Sequence, residues 1–244
     1  MKKTAVSFLL AIPLLLPSIV GHAAGNGDNP EFTEDVKTPE QLVQLAEKEK
    51  ALEQWVSGNE TEDGIAPYAL DEGFYKLLAV PSYKQETSYW CGPATTKQVL
   101  SFINGSAGTQ TTIAKDLGTT TAGTDFSKID DYLNDKQNRN TYVYSDGLSY
   151  ADWTYRLEYG LSKNYPVVLD LKITSSYMPK YTASVEGHIL NVSGVDTKTS
   201  SSAQVRLTDP FDQGNRGVTL GNVWHPYSGV YNANKAHFRQ AILW

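Results

Sequence analysis

The chain has 244 residues, 27 acidic and 21 basic side chains and a formal net charge of −6. No stretch concentrates basic residues into a stripe, so nothing points to nucleic acid as a partner. There is one cysteine, Cys91, which excludes an internal disulfide and leaves either an intermolecular linker, a reactive thiol or a buried small hydrophobe.

In chain order, residues 1–23 come first. Lys2 and Lys3 precede the apolar run AVSFLLAIPLLLPSIV and the small residues of GHAAG, the three-part pattern of a secretory signal peptide. Pro13 and Pro17 interrupt the run and make it a poor spanning helix. Cleavage after Ala23 puts Gly21 and Ala23 at the two small-residue positions, and no cysteine lies nearby to make a bacterial lipoprotein. No second apolar stretch of membrane length follows. The expectation is an exported mature chain of about 220 residues, extracellular or in the cell envelope, without a membrane span, monomeric, and organised as one domain with a prefix.

The prefix, residues 24–73, is acidic. Residues 24–75 hold 13 acidic and 3 basic side chains, a balance of −10, whereas residues 76–244 hold 14 acidic and 16 basic, a balance of +2. Within it, TPEQLVQLAEKEKALEQWV predicts a helix. Thr38 is the N-cap, Pro39 the first helical residue and Gln41 the partner three residues on. Leu42, Leu45, Ala46, Leu52, Trp55 and Val56 fall roughly on one face. SGNETEDGIAPYALDEG reads as a linker. The prefix is expected to dock on the domain through its helix, away from any cleft, and to be no more than a decoration. The competing reading is a removable pro-segment.

The main domain spans residues 74–244. FYKLLAVPSYKQ opens as a short strand, and a helix is predicted from Pro93 to Gly105. Two short helices follow, in TQTTIAKDLGT and TDFSKIDDYLNDK, then a short strand in NTYVYSD and a helix in SYADWTYRLEYGLSKN. YPVVLDLKI, GHILNVSGVD, AQVRLTDPF and QAILW read as strands, with DTKTSSSAQ as a polar hairpin loop. Helices first and strands after predict an α+β fold with a largely antiparallel sheet. The tail from about Gly214, with Trp224, Tyr227, Tyr231 and Trp244, offers no motif, and its aromatics are expected to pack.

Cys91 stands at the start of the helix that Pro93 opens. A helix N-terminus presents unpaired N–H groups and the positive end of the macrodipole, surroundings that favour thiolate. Gly92 is expected to let the backbone approach a substrate. A nucleophilic thiol needs a base and a group to orient it. His188 opens the strand HILNVSGV, and the next strand, VRLTDPF, ends in Asp209, so the pair can sit side by side with the carboxylate fixing the tautomer. His225 and His237 lack a carboxylate on an evident paired strand and read as surface or packing histidines. Gln85, six residues before Cys91, can join the Cys91 backbone N–H as an oxyanion donor. No His, Cys or Asp spacing suggests a metal, and no cofactor is expected.

With these residues in view, the chain resembles the secreted C39-like peptidases of the papain-like cysteine proteinase superfamily. The resemblance rests on VPSYKQETSYWCGPATTKQVLSFING, IAKDLGT, GTDFSKIDDYL, YPVVLDLKI, EGHILNVSGVD and VRLTDPF, in that order, over nearly all of residues 78–212. It implies a papain-like fold, with the nucleophile helix packed on an antiparallel sheet. It also implies Cys91 as nucleophile, His188 as general base and acid, Asp209 as orienter and Gln85 as oxyanion donor. The chain departs from the bacteriocin-processing members, which have Asp where Trp90 stands and are fused to membrane transporters. Double-glycine leaders are therefore not the expected substrate. The implied activity is hydrolysis of peptide or isopeptide bonds in a peptide or protein substrate through an acyl-enzyme. The alternatives are an acyl transferase using the same residues and an inactive binding module of the same fold at the cell surface.

Overall fold

The structure, a computed structural model, describes residues 27–29, 31, 37–58, 73–198 and 202–244. The expected signal peptide, most of the linker and the tip of the polar hairpin loop lie outside the described residues.

The prefix helix α1 spans Pro39–Gly58. Its start is the predicted reciprocal cap: Gln41 N–H donates to Thr38 Oγ1 (3.2 Å) and Thr38 N–H donates to Gln41 Oε1 (2.7 Å). Strand β1 is Tyr75–Leu77, and helices α2 (Cys91–Asn104), α3 (Gln110–Asp116) and α4 (Ile129–Lys136) follow, the last preceded by a 3-10 turn at Phe126–Lys128. Then come β2 (Tyr144–Ser145), α5 (Tyr150–Ser162), β3 (Val167–Ile173), β4 (Val185–Asp196), β5 (Gln204–Asp209), β6 (Gly221–Pro226), α6 (Tyr227–Ala236) and β7 (Ile242–Leu243). Local chemistry sets several boundaries: Thr109, Asp125 and Ser149 accept backbone N–H groups as N-caps, and Gly105 ends α2 in the left-handed conformation.

One sheet runs in the order β2-β7-β3-β4-β5-β6, with β1 paired to the far end of β4, and every pairing is antiparallel. The fold is α+β, as expected. Alternation along β3 and β4 divides the core. Leu169, Leu171, Leu190 and Val192 join Trp153, Leu157 and Val230 on one face, and Val168 and Ile189 join Val99, Leu100, Ile113 and Leu133 on the other. The nucleophile helix α2 thus lies on one side of the central strands, and α5 with α6 on the other.

Three expectations need correction. Helix α2 begins at Cys91, two residues before Pro93, because Ala94 N–H already bonds Trp90 C=O (3.0 Å). The tail holds β6 and α6, neither of which was predicted. Within α1, Leu52 is buried and Leu45, Trp55 and Val56 pack against the core, but Leu42 is 53 % exposed and belongs to the solvent face. Among the described residues, no helix is long and apolar enough to cross a membrane.

Candidate active site

Helix α2 and strand β4 bring the predicted residues together. Their contact is polar and specific: Thr95 Oγ1 donates to Ile189 C=O (2.9 Å), Asn191 Nδ2 donates to Gln98 Oε1 (2.8 Å) and Gln98 Nε2 donates to Tyr83 C=O (3.1 Å). These bonds give the Thr95 hydroxyl and the Gln98 and Asn191 amide N–H₂ groups partners and fix the helix against the strand. At the near end, Ile189 N–H donates to Cys91 Sγ (3.4 Å). Trp90 makes no side-chain cap bond at the start of α2, the end of the helix that carries Cys91.

His188 lies three residues inside β4, not at its start, opposite Leu171 and beside a register shift in β3. The pairing of Asn191 with Thr208 places Asp209 one residue beyond Thr208 and His188 three before Asn191, a diagonal that side chains can close. His188 Nε2 and Asp209 Oδ1 are 2.7 Å apart, both buried. The nitrogen that remains, Nδ1, is the one available to Cys91, whose sulfur is the imidazole's other hydrogen-bonding neighbour. Burial pulls the His188 pKa down, but Asp209, by charge and hydrogen bond, and then Cys91 override it and lift the value to about 10. The ring of Phe211 meets the imidazole edge-on at 5.9 Å.

Asp209 is fixed from three sides. Besides His188 it accepts Phe211 N–H on Oδ1 (2.7 Å) and the Tyr181 hydroxyl on Oδ2. Sequence reasoning misses Tyr181, which sits in an irregular stretch where no periodicity or spacing marks it. Gln85 is buried in the loop before α2. Its backbone N–H donates to Pro210 C=O (2.9 Å), which ties that loop to the residue after Asp209, and its side-chain Nε2 donates to Thr87 C=O (2.8 Å). An amide N–H₂ has two hydrogens, so one remains for another acceptor.

The glycine beside the cysteine has a different neighbour from the one expected. A Cβ on Gly92 would lie 2.5 Å from Thr124 Oγ1 and 2.7 Å from Thr124 Cβ, so the close approach is to Thr124 and not to a substrate. Thr124 in turn holds the prefix. Its N–H donates to Gly27 C=O (3.1 Å), and Asn29 N–H donates to its C=O (3.0 Å), while Gly27 N–H donates to Gly187 C=O (2.8 Å). Gly27, Asp28 and Asn29 are all buried, and a Cβ on Gly27 would lie 2.5 Å from Cys91 Sγ. The prefix therefore lies against the cysteine, contrary to the expectation that it docks only at a distance.

His225 and His237 are buried packing residues and not surface ones, and burial drives their pKa values down to about 4 and about 3. His237 does have a carboxylate neighbour, Asp170, at 3.5 Å. Asp28, Asp170 and His237 bring one ligand atom each within 4.8 Å, a grouping that no sequence spacing announces. A cation fits it poorly. The Arg239 guanidinium already bonds Asp28, and burial followed by the Asp28 charge raises the Asp170 carboxyl well above the usual range, which disfavours the carboxylate a cation needs.

No curated protein matches the sequence. A family model does: that of the Peptidase_C39 like family aligns with residues 77–237, well over half of the chain, and spans the cysteine helix, His188, Asp209 and the unpredicted α6. With that match laid over this geometry, the chain belongs to the Peptidase_C39 like family.

Proposed function

We propose that the protein is an exported cysteine peptidase that hydrolyses peptide or isopeptide bonds through Cys91, His188 and Asp209, with Gln85 as an oxyanion donor. The observation that supports this most is the imidazole held between two partners: a carboxylate on Nε2 and the cysteine sulfur on the other side, at the uncapped start of a helix. A structural cysteine needs none of these neighbours.

In the forward step the Cys91 thiolate attacks the carbonyl carbon of the substrate. The oxyanion is met by the Cys91 backbone N–H and the free hydrogen of the Gln85 amide. The C–N bond then breaks, and the His188 imidazolium gives its proton to the departing amine. Water next attacks the thioester, His188 takes its proton, and the acid leaves as the sulfur recovers its electron pair. Asp209 takes no part in bond making or breaking. Its role is to hold the ring and offset the imidazolium charge, and Tyr181 and Phe211 N–H hold Asp209 in turn.

The test is turnover of a broad peptide library, with mass spectrometry of the intact protein to catch an acyl adduct on Cys91. Folded Cys91→Ala is expected to lose both the adduct and turnover. Asp209→Asn should cut kcat/KM on the order of a thousandfold yet leave residual activity, because thiol and base survive with a poorly fixed tautomer. Undiminished turnover in folded Cys91→Ala would overturn the mechanism.

A further inference from the structure

The chemistry above uses Cys91, His188, Asp209 and Gln85 and gives no task to the segment lying on them. We propose that the groove between Thr124 and Gly187 is a peptide-binding site, that its resident ligand is the chain's own Gly27-Asp28-Asn29, and that this occupant keeps Cys91 covered until it is displaced or cut away. The proposal rests on reading Cys91 as the nucleophile.

Three independent features make the segment a ligand and not a passing strand. The first is its backbone. Gly27 and Asn29 use both groove walls, bonding Gly187 C=O on one side and the N–H and C=O of Thr124 on the other. This is the way an extended peptide is held by main-chain pairing. Gly187 immediately precedes His188, so the wall belongs to the residue beside the base. The second is shape. With a Cβ position 2.5 Å from Cys91 Sγ and 2.6 Å from Gly187 C=O, residue 27 can only be glycine without moving the sulfur or the strand. Cys91 is 2 % exposed beneath it.

The third is a built anchor for the next side chain. Asp28, 2 % exposed, accepts Phe126 N–H on Oδ1 (3.0 Å) and Arg239 Nε on Oδ2. Arg239 is itself buried and is steadied by Asp125 Oδ1 through Nη2 (3.2 Å). Asp125 also accepts Ser127 N–H (3.2 Å), so the pocket wall is fixed by a turn of its own. A buried guanidinium held by Asp125 and offering its Nε edge to a second carboxylate is a recognition element, because a carboxylate buried there without it is costly. Past Asp28 the groove continues as a hollow of about 270 Å³ lined by Lys172, Glu186, His237 and Phe238, room for more chain than the segment itself fills. The ligand class is thus an extended peptide with glycine over the thiol and aspartate in the Arg239 pocket.

The experiment is alkylation of Cys91 by iodoacetamide in the full mature chain, followed by intact mass. Asp28→Ala is expected to label roughly ten- to a hundredfold faster than wild type, the factor that loss of a charge-assisted anchor implies. Added peptide Gly-Asn-Gly-Asp-Asn should slow labelling of that variant saturably, and the same peptide with Asn in place of Asp should not. Equal labelling of wild type and variant, or no protection by the peptide, overturns the proposal. If Asp28→Ala does not fold, hydrogen exchange on the unaltered chain decides. Protection of the Gly27 and Asn29 amides supports the occupant, and exchange at the free-peptide rate overturns it. Alkylation reads access to the sulfur and not hydrolysis. Faster labelling of a variant that cleaves no peptide would therefore uphold the occupant while overturning the peptidase reading.

Discussion

His188 is pulled two ways, and the outcome sets the pH behaviour of the site. Burial favours the neutral ring, but Asp209 at 2.7 Å and the sulfur opposite lift its pKa from 6.5 to about 10. Because the folded value is raised, the stability gained from binding that proton is fully present below pH 6.5 and is lost as the pH rises through about 10. The same proton is the one given to the leaving amine. Turnover is therefore expected to fall above about pH 10, where the imidazolium is lost, while alkylation of the thiolate, which needs no acid, continues. Parallel pH profiles of the two reactions check this, and a turnover limb that falls near pH 6.5 would show that Asp209 does not hold the proton. At this scale the sequence was most readable where chemistry and punctuation coincide. Cys91 sits in a Gly-Pro helix start, His188 follows a glycine into a strand, and Asp209 precedes a proline at a strand end. Tyr181 and Arg239 were not readable, because each acts through a partner 28 or 211 residues away, and no local spacing records such a contact.

Among elements, the contact of α2 with β4 and the loop at Thr124 decides whether thiol and imidazole meet. Gly92 looks permissive in the sequence, as though reserved for a ligand, yet its φ needs no glycine and the restriction is steric. Gly92→Ala would gain helix propensity of about 1 kcal/mol. Against this, a Cβ at 2.5 Å from Thr124 Oγ1 must displace a fully buried side chain that is bonded to Thr119, an overpacking cost of typically about 1–3 kcal/mol. The steric cost outweighs the propensity gain, so urea denaturation should show Gly92→Ala no more stable than wild type and up to about 2 kcal/mol less stable. A gain in stability would mean that Thr124 moves freely. The same competition between propensity and packing explains why α6 was missed. YSGVYNANKA holds Gly229 and two asparagines, poor helix formers, so propensity argues against a helix. The structure keeps it because packing needs Gly229 and Asn234. A Cβ on Gly229 would collide with Tyr177 C=O at 2.0 Å, and Asn234 Nδ2 ties the helix to Asp170 C=O (2.9 Å) and Ala241 C=O (2.8 Å).

At the scale of the whole molecule, the prefix has two attachments with different consequences. The composition break near residue 75 and the cap at Thr38 were legible. That Gly27–Asn29 return to the cysteine was not, since the sequence there has no periodicity and their partners lie in three distant stretches, at Thr124–Phe126, Gly187 and Arg239. Helix α1 is part of the core: Leu52 is buried, Glu49 pairs with Arg156 at 2.5 Å, and Lys48 Nζ bonds the carbonyls of Thr141 and Trp244. Leu52 alone is worth roughly 1.5–3 kcal/mol. The segment Gly27–Asn29 instead lies in a groove, and without it Arg239 keeps its bond to Asp125. Two shortened chains separate these parts. One beginning at Lys37 retains α1 and should melt close to the chain beginning at Ala24, taken as the full chain, while its Cys91 labels faster. One beginning at Gly73 also loses α1 and should melt about 5–10 °C lower, given roughly 2–4 °C per kcal/mol for a domain of this size. Thermal melts and alkylation rates on the three chains check both statements. Equal melting of the Gly73 chain and the full chain would remove α1 from the core. A Lys37 chain that labels no faster than the full chain would show that the thiol was never covered.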